Sequence, residues 1–224
     1  MLRSFLLAAV LAAHAACDSG TPPRQSPQPA QAAAAVRRTP VKADLLRPLI
    51  DPAKLATLGK RGANTRVRKI TGMLIEAKAA GSDPQRMAED AVALIGWGGT
   101  EKGRLTAAAM VRNVTIAERL GSTTPDDLED MRRGRAPTVR KGPYAGQLLT
   151  VDHIIPRAVA AELDNVIANL ELMPLGLNQG KSDSITERQT DLAMKFHAAG
   201  LLPADGLQRV LSAASLNTRK EASR

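Results

Sequence analysis

The chain has 224 residues, and its 31 Lys and Arg side chains outnumber its 22 Asp and Glu side chains, for a formal net charge of +9. This excess favours a polyanionic partner, either nucleic acid or an anionic membrane surface. Aromatic residues make up only 2% of the chain, which argues against a single-strand binder that relies on base stacking, and the single cysteine excludes both an intrachain disulfide and a Cys-based zinc site.

Residues 1–16 have the composition of a signal peptide. Arg3 precedes an apolar run that is too short to span a bilayer, and small residues follow that run. Ala13-His14-Ala15 fits an ordinary cleavage site, whereas Ala15-Ala16-Cys17 resembles a bacterial lipobox, in which Cys17 is lipidated and attaches the protein to a membrane. We favour the lipobox and expect an exported lipoprotein of the periplasm or envelope. Free secretion is the alternative.

Residues 17–42 are rich in Pro, Ala, Gln and Ser, a composition that predicts a disordered spacer. Residues 43–135 are predicted to form a helical region. Within it, Asp51, Asp83 and Thr124 each precede a proline. Each is predicted to be an N-cap, because Asp and Thr are favoured there. Proline is tolerated at the first helical position that follows, since the N–H that it lacks has no partner within the helix.

Further helices are predicted from the spacing of apolar residues. One covers residues 100–120, a second covers residues 186–199 and ends at Gly200, and a shorter one covers residues 204–213. Trp97 lies in a glycine-rich break before the first of these helices, and we interpret it as a packing residue.

A β-prone run at residues 147–151 follows a turn-like segment at residues 142–146. It leads into residues 151–183, where the polar side chains fit one kind of chemistry, the cleavage of a phosphodiester bond. These side chains are Asp152, His153, Asn169, Asn178 and Lys181.

Phosphodiester hydrolysis needs a base for water and a cation for the charge that develops on the phosphate. His153 can be the base, because imidazole changes its charge near neutral pH. Asp152 and Asn178 offer hard oxygen ligands, which suit Mg²⁺ or a similar ion such as Mn²⁺. Lys181 could hold a phosphate oxygen, and Asn169 could fix the preceding loop so that the histidine is correctly oriented.

These residues resemble the motif of the HNH, or His-Me finger, endonucleases, which reads D-H-I-x-P, then N-L, then N-x-x-K. The matching segments are Asp152-His153-Ile154-Ile155-Pro156, Asn169-Leu170 and Asn178-Gln179-Gly180-Lys181, and the similarity covers residues 143–188. The resemblance implies a ββα unit around one metal ion. It also implies that His153 is the general base, that Asp152 and Asn178 are metal ligands, and that Asn169 stabilises the loop.

The chain departs from many members of that family, which carry two CxxC pairs around a structural zinc ion. With one cysteine it has no such pairs. We therefore expect the flanking helices to hold the ββα unit in place.

A basic run precedes this unit. We interpret it as a contact to the phosphates that flank the cut, and a solvated loop is the alternative. Its residues are Arg132, Arg133, Arg135, Arg140 and Lys141.

The sequence thus predicts a mostly helical α+β protein, with an HNH nuclease domain and C-terminal helices over residues 136–224. The expected activity is metal-dependent hydrolysis of nucleic acid, with DNA favoured over RNA. Two alternatives are open: a non-catalytic nucleic-acid binder, and an envelope interaction lipoprotein in which the motif is coincidental. Absence of a strand hairpin at residues 147–175 would support the second alternative.

Overall fold

The computed structural model of the protein describes residues 42–181 and 183–222, with side chains described through residue 216. The predicted signal peptide, Cys17 and the predicted spacer up to residue 41 lie outside the described residues.

The described chain is mostly helical and contains a two-stranded antiparallel sheet, which confirms the predicted α+β class. Short 3-10 turns occur at Ala43–Leu45, Ala161–Leu163 and Ile167–Asn169. The elements are α1 (Arg47–Ile50), α2 (Pro52–Ala56), α3 (Ala63–Ala79), α4 (Pro84–Leu94), α5 (Glu101–Arg119), α6 (Pro125–Arg132), β1 (Leu149–His153), β2 (Leu170–Pro174), α7 (Leu175–Gly180), α8 (Glu187–Ala198) and α9 (Ala204–Ala222).

The three predicted N-caps are confirmed. The side chain of Asp51 accepts a hydrogen bond from the backbone of α2, and the side chain of Asp83 does the same for α4. Thr124 forms a reciprocal capping box with Asp127 at the start of α6. Local side-chain chemistry therefore sets where these helices begin.

The C-terminal helices follow the predicted pattern with one correction. Thr186 caps α8, which ends before Gly200, whose positive φ of 72° suits glycine. The last helix does not end at Ala213 as predicted but continues to Ala222. No helix in the described part of the chain is both long and apolar enough to cross a membrane.

The hairpin lies within the predicted segment. In its register, Asp152 pairs with Glu171 and His153 pairs with Leu170. Helix α7 follows the second strand directly, so the local order of elements is strand, strand, helix.

Both outer edges of this small sheet have hydrogen-bond partners. Asn113 on α5 donates to the carbonyl of Leu170 (3.1 Å) and accepts from the amide of Leu172 (2.8 Å). On the other edge, the amide of Leu149 donates to the carbonyl of Pro137 (2.8 Å). The chain therefore supports its hairpin with a buried asparagine and a neighbouring backbone segment.

The apolar core forms two clusters. The larger combines residues of α3, α4 and α5 with hairpin residues such as Val151 and Leu172. The smaller joins Ile155, at the start of the loop after β1, to Phe196 on α8 and Val210 on α9. The strands therefore pack against the helices of the larger cluster through buried apolar contacts, and this packing fixes the position of the end of β1.

Candidate functional site

A polar cleft with a volume of about 260 Å³ lies at the carboxyl end of β1. Four of the five side chains expected to carry the chemistry line this cleft, and the fifth, Asn169, is fully buried. The lining residues are Arg61, Asp152, His153, Pro156, Arg157, Ala158, Asn178, Lys181 and Asp183. The fold thus brings together residues that are distant in the sequence.

His153 is the last residue of β1, and its side chain is nearly buried. Its Nε2 lies 3.0 Å from the backbone carbonyl oxygen of Asp164 and 3.0 Å from Oδ1 of the same residue. Of the two oxygens, the carbonyl has hydrogen-bond geometry, while Oδ1 has none. Since a carbonyl can only accept, Nε2 must carry the hydrogen.

This assignment fixes the tautomer of the imidazole ring. With the hydrogen on Nε2, neutral His153 has its free lone pair on Nδ1. Within residues 42–181 and 183–222, no hydrogen-bond partner is found for that nitrogen. His153 is therefore oriented by one ring nitrogen and has the other available as a proton acceptor.

Asp152 is paired with Lys181. The Lys181 ammonium donates to Oδ2 of Asp152, to the carbonyl oxygen of His153 (2.6 Å) and, at 3.5 Å, to the carbonyl oxygen of Ile154. Lys181, which directly follows α7, thus links the end of that helix to the end of β1. The sequence-based role of Lys181, a contact to a phosphate oxygen, stays a prediction.

Asn178 on α7 is held by a threonine that the sequence did not single out. Its Nδ2 donates to Oγ1 of Thr150 (3.0 Å), and that hydroxyl donates to the carbonyl oxygen of Met173 (2.9 Å). Because the amide nitrogen is used in this way, the side-chain oxygen of Asn178 is the atom left to act as an acceptor.

Asn169 closes the loop between the two strands. Its Oδ1 accepts from the amide of Ile155 (2.9 Å), and its Nδ2 donates to the carbonyl of the same residue (3.0 Å). The guanidinium of Arg112 donates to the carbonyl oxygens on either side of Asn169, those of Ala168 (3.4 Å) and Leu170 (3.2 Å). The loop that carries Asp164 is therefore fixed at both ends.

Glu171 lies directly across the sheet from Asp152, and two carboxylates in that arrangement repel each other. Lys181 compensates Asp152, while Glu171 lies 3.0 Å from Arg188 and 3.8 Å from Arg112. Burial lowers the pKa of Arg112, and the charge of Glu171 acts in the opposite direction. This charge balance allows both acids to lie on one face of the hairpin.

The donor set of the cleft fits a divalent cation. Asp152 offers Oδ1, since Lys181 bonds to Oδ2, and Asn178 offers its amide oxygen. Mg²⁺ is bound by few protein oxygens and keeps water or phosphate at its other positions. Within the described ranges, the structure contains no cluster of three or more His, Cys, Asp or Glu side chains that could hold a metal ion.

The basic residues at positions 132–141 are not among the residues that line the cleft. The four arginines of this run form ion pairs with acids of the neighbouring helices: Arg132 with Glu76 and Glu129, Arg133 with Glu129, Arg135 with Asp130, and Arg140 with Asp127. Lys141 is exposed, and its backbone amide donates to the carbonyl of Leu120 (3.0 Å). The acids of the same chain thus compete with nucleic-acid phosphates for the arginines of this run.

Asp127 is the most buried partner in that network. Burial acts to raise the pKa of its carboxyl group, but hydrogen bonds from Arg140, Thr124 and the amide of Thr138 outweigh it and hold the pKa below the usual range. Arg140 therefore has a structural role in joining the chain before β1 to α6.

Two basic residues that the sequence did not single out, Arg61 and Arg157, do line the cleft. Arg157 directly follows the D-H-I-x-P motif, so its position was a usable signal. Arg61 comes from the loop before α3, and nothing local in the sequence connects that loop with residues 152–181.

Comparisons with family models, with curated proteins and with solved structures find no match to this chain. The geometry of the cleft and the motif residues in the sequence are therefore what bears on the function.

Proposed function

We propose that this protein is a metal-dependent endonuclease of the HNH type that hydrolyses phosphodiester bonds, with DNA as the favoured substrate. One observation carries the proposal: His153 has a lone pair on Nδ1 and lines the same cleft as the oxygen donors of Asp152 and Asn178. A base beside a pair of hard oxygen ligands is the arrangement that hydrolysis of a phosphodiester requires.

The order of elements around the cleft supports the HNH interpretation. Strands β1 and β2 form a hairpin and α7 follows at once, as in a ββα unit. His153 ends the first strand and Asn178 lies on the helix. An envelope interaction protein with a coincidental motif gives no reason for a hairpin at residues 147–175.

His153 would accept a proton from the attacking water at Nδ1. The resulting imidazolium would be stabilised by the carbonyl and the carboxylate of Asp164, both 3.0 Å from Nε2. Asp152 and Asn178 would hold a divalent cation, which supplies positive charge to the phosphate as negative charge develops.

The charge of the cleft supports a polyanionic substrate. Among the described residues that line it, three cationic side chains, Arg61, Arg157 and Lys181, accompany two acids, Asp152 and Asp183. A positively charged concave site concentrates anions near the reacting groups.

A non-catalytic nucleic-acid binder is the second candidate, and the Lys181–Asp152 ion pair favours it. The ammonium of Lys181 neutralises Asp152 without a metal ion. If this pair persists in the working protein, the cleft would bind phosphate with no need for divalent cations.

Incubation of the purified protein with supercoiled plasmid, single-stranded DNA and RNA tests the proposal. The reactions are run with Mg²⁺, with Mn²⁺ and with EDTA. We expect plasmid nicking that requires the metal. If all three substrates survive in both metals while the protein still binds them, the nuclease proposal fails and the non-catalytic binder replaces it.

A further inference from the structure

The loop before α3, residues 57–62, contributes one residue to the cleft, although it lies about 90 residues upstream of the motif. Arg61 of this loop lines the cleft together with Arg157. Neither guanidinium has an ion pair or side-chain hydrogen bond within the part of the chain that the structure describes. The arginines of the basic run, in contrast, are paired with acids.

Four hydrogen bonds attach this loop and the first residue of α3 to the segment that orients His153. The amide of Arg61 donates to Oδ2 of Asp164 (3.1 Å), and the amide of Ala63 donates to Oδ1 of Asn165 (3.0 Å). Nδ2 of Asn165 donates in turn to the carbonyls of Leu58 and Gly59, each at 3.3 Å. Asp164 thus contacts both the loop and the imidazole of His153.

The backbone of Arg61 adopts a conformation that costs free energy. Its φ is 58°, and among the described residues it is the one non-glycine residue with a positive φ. A left-handed conformation costs an L-residue other than glycine free energy, and such strain concentrates at functional sites. Positions 59 and 62 of this loop are glycines, yet an arginine holds the strained position.

We propose that Arg61, assisted by Arg157, binds a backbone phosphate of the nucleic acid next to the one that is cleaved. This inference rests on the proposed function, because it names a substrate-binding residue for the same cleft. A guanidinium fork suits a phosphate, and two unpaired forks at the rim can hold the strand while His153 and the cation act on the neighbouring linkage. Asp164 therefore holds both the catalytic base, His153, and the loop that would bind the nucleic-acid strand.

Binding of a fluorescent DNA duplex to the non-cleaving His153→Ala protein, measured by anisotropy over a range of salt concentrations, tests this proposal. Adding Arg61→Gln in that background is expected to weaken binding about 10-fold at low salt. It should also reduce the slope of log K against log salt by about one, the loss of one phosphate contact. Arg61→Lys should keep the slope and lose part of the affinity.

Two controls separate phosphate binding from folding. Arg86→Gln removes the same charge from an exposed position on α4 and should leave both affinity and slope unchanged. Arg61→Gly should weaken binding as Arg61→Gln does, while its urea midpoint stays equal to or above that of the parent, because glycine tolerates the positive φ. An Arg61→Gln slope equal to that of Arg86→Gln overturns the inference, as does a parent protein that binds no duplex.

Cleavage by the otherwise unaltered protein is measured in parallel and decides the proposed function separately. A protein that binds DNA through Arg61 and cuts nothing would contradict the nuclease proposal and leave the phosphate contact supported. If the unaltered protein cuts DNA but Arg61→Gln leaves the salt slope unchanged, the nuclease proposal is supported and the phosphate contact is contradicted.

Discussion

The backbone carbonyl and the side-chain Oδ1 of Asp164 both lie 3.0 Å from Nε2 of His153. The carbonyl sets the tautomer of the ring, and the carboxylate places a negative charge beside it. Oδ2 of the same residue accepts from the amide of Arg61 (3.1 Å). Asp164 is therefore the residue through which the base and the loop before α3 are joined.

Replacing Asp164 tests its role as a positioning residue. Asp164→Asn keeps the backbone carbonyl but removes the charge that would stabilise the imidazolium, so we expect kcat for nicking to fall about 10- to 100-fold with KM nearly constant. Asp164→Ala should lose more, because it also removes the acceptor for the Arg61 amide. Asp90→Asn removes the same charge from an exposed position on α4, outside the cleft, and is the control. An equal loss in Asp90→Asn would contradict this role.

Thr150→Val tests how Asn178 is held. The substitution keeps the shape of the side chain and removes the hydroxyl that bonds Asn178 and the carbonyl of Met173. We expect the Mg²⁺ concentration for half-maximal activity to rise about 10-fold, while activity at saturating metal recovers, since a ligand loses its orientation but not its oxygen. Thr115→Val on α5 is the matched control. An unchanged dependence of activity on the Mg²⁺ concentration would contradict the assignment of Asn178 as a metal ligand.

Asn169→Ala is expected to lower the free energy of unfolding by roughly 2–4 kcal/mol, because it leaves the buried amide and carbonyl of Ile155 without partners. Urea denaturation measures the loss, and circular dichroism of the variant at low urea checks that the helices remain. A loss below about 1 kcal/mol would show that the loop is held by other contacts.

The depressed pKa of Asp127 predicts how the free energy of unfolding depends on pH. Its pKa is depressed in the folded state, so its contribution is fully present above the unfolded value of about 4 and is lost as pH falls through the lower folded value. The free energy of unfolding of the unaltered protein should therefore fall more steeply below about pH 4 than that of Asp127→Asn. Parallel curves for the two proteins would contradict the depressed pKa.

Local chemistry explains which parts of the fold could be predicted from the sequence. The caps at Asp51, Asp83 and Thr124 depend on residues within one helical turn, and the hairpin follows from a β-prone run and an apolar stretch. The extension of α9 beyond Ala213 was missed, because its last turns lack the apolar spacing that marked its beginning.

The partners of the site residues could not be predicted in the same way. Asp164 contacts His153 over a separation of 11 residues, and Arg61 bonds to Asp164 over a separation of 103 residues. Such contacts depend on tertiary packing, and a single sequence carries no local signal of them. Asn113, which bonds to β2, is a further example.

The basic run is a different case, because the relevant signal was present in the sequence. Glu129 precedes Arg133 by four residues and Arg132 by three, spacings at which helical side chains form ion pairs. Asp130 and Asp127 complete the set of acids for Arg135 and Arg140. Counting the acids of α6 together with the basic residues after it would have predicted an internal network.

In the proposed mechanism, His153 activates water beside a divalent cation. The most direct test is the initial rate of plasmid nicking at saturating Mg²⁺ by the unaltered protein and by His153→Ala, with His197→Ala on α8 as the control. We predict that EDTA abolishes nicking, that His153→Ala lowers the rate at least about 100-fold, and that His197→Ala changes it little. Equal rates for His153→Ala and the unaltered protein would contradict this mechanism.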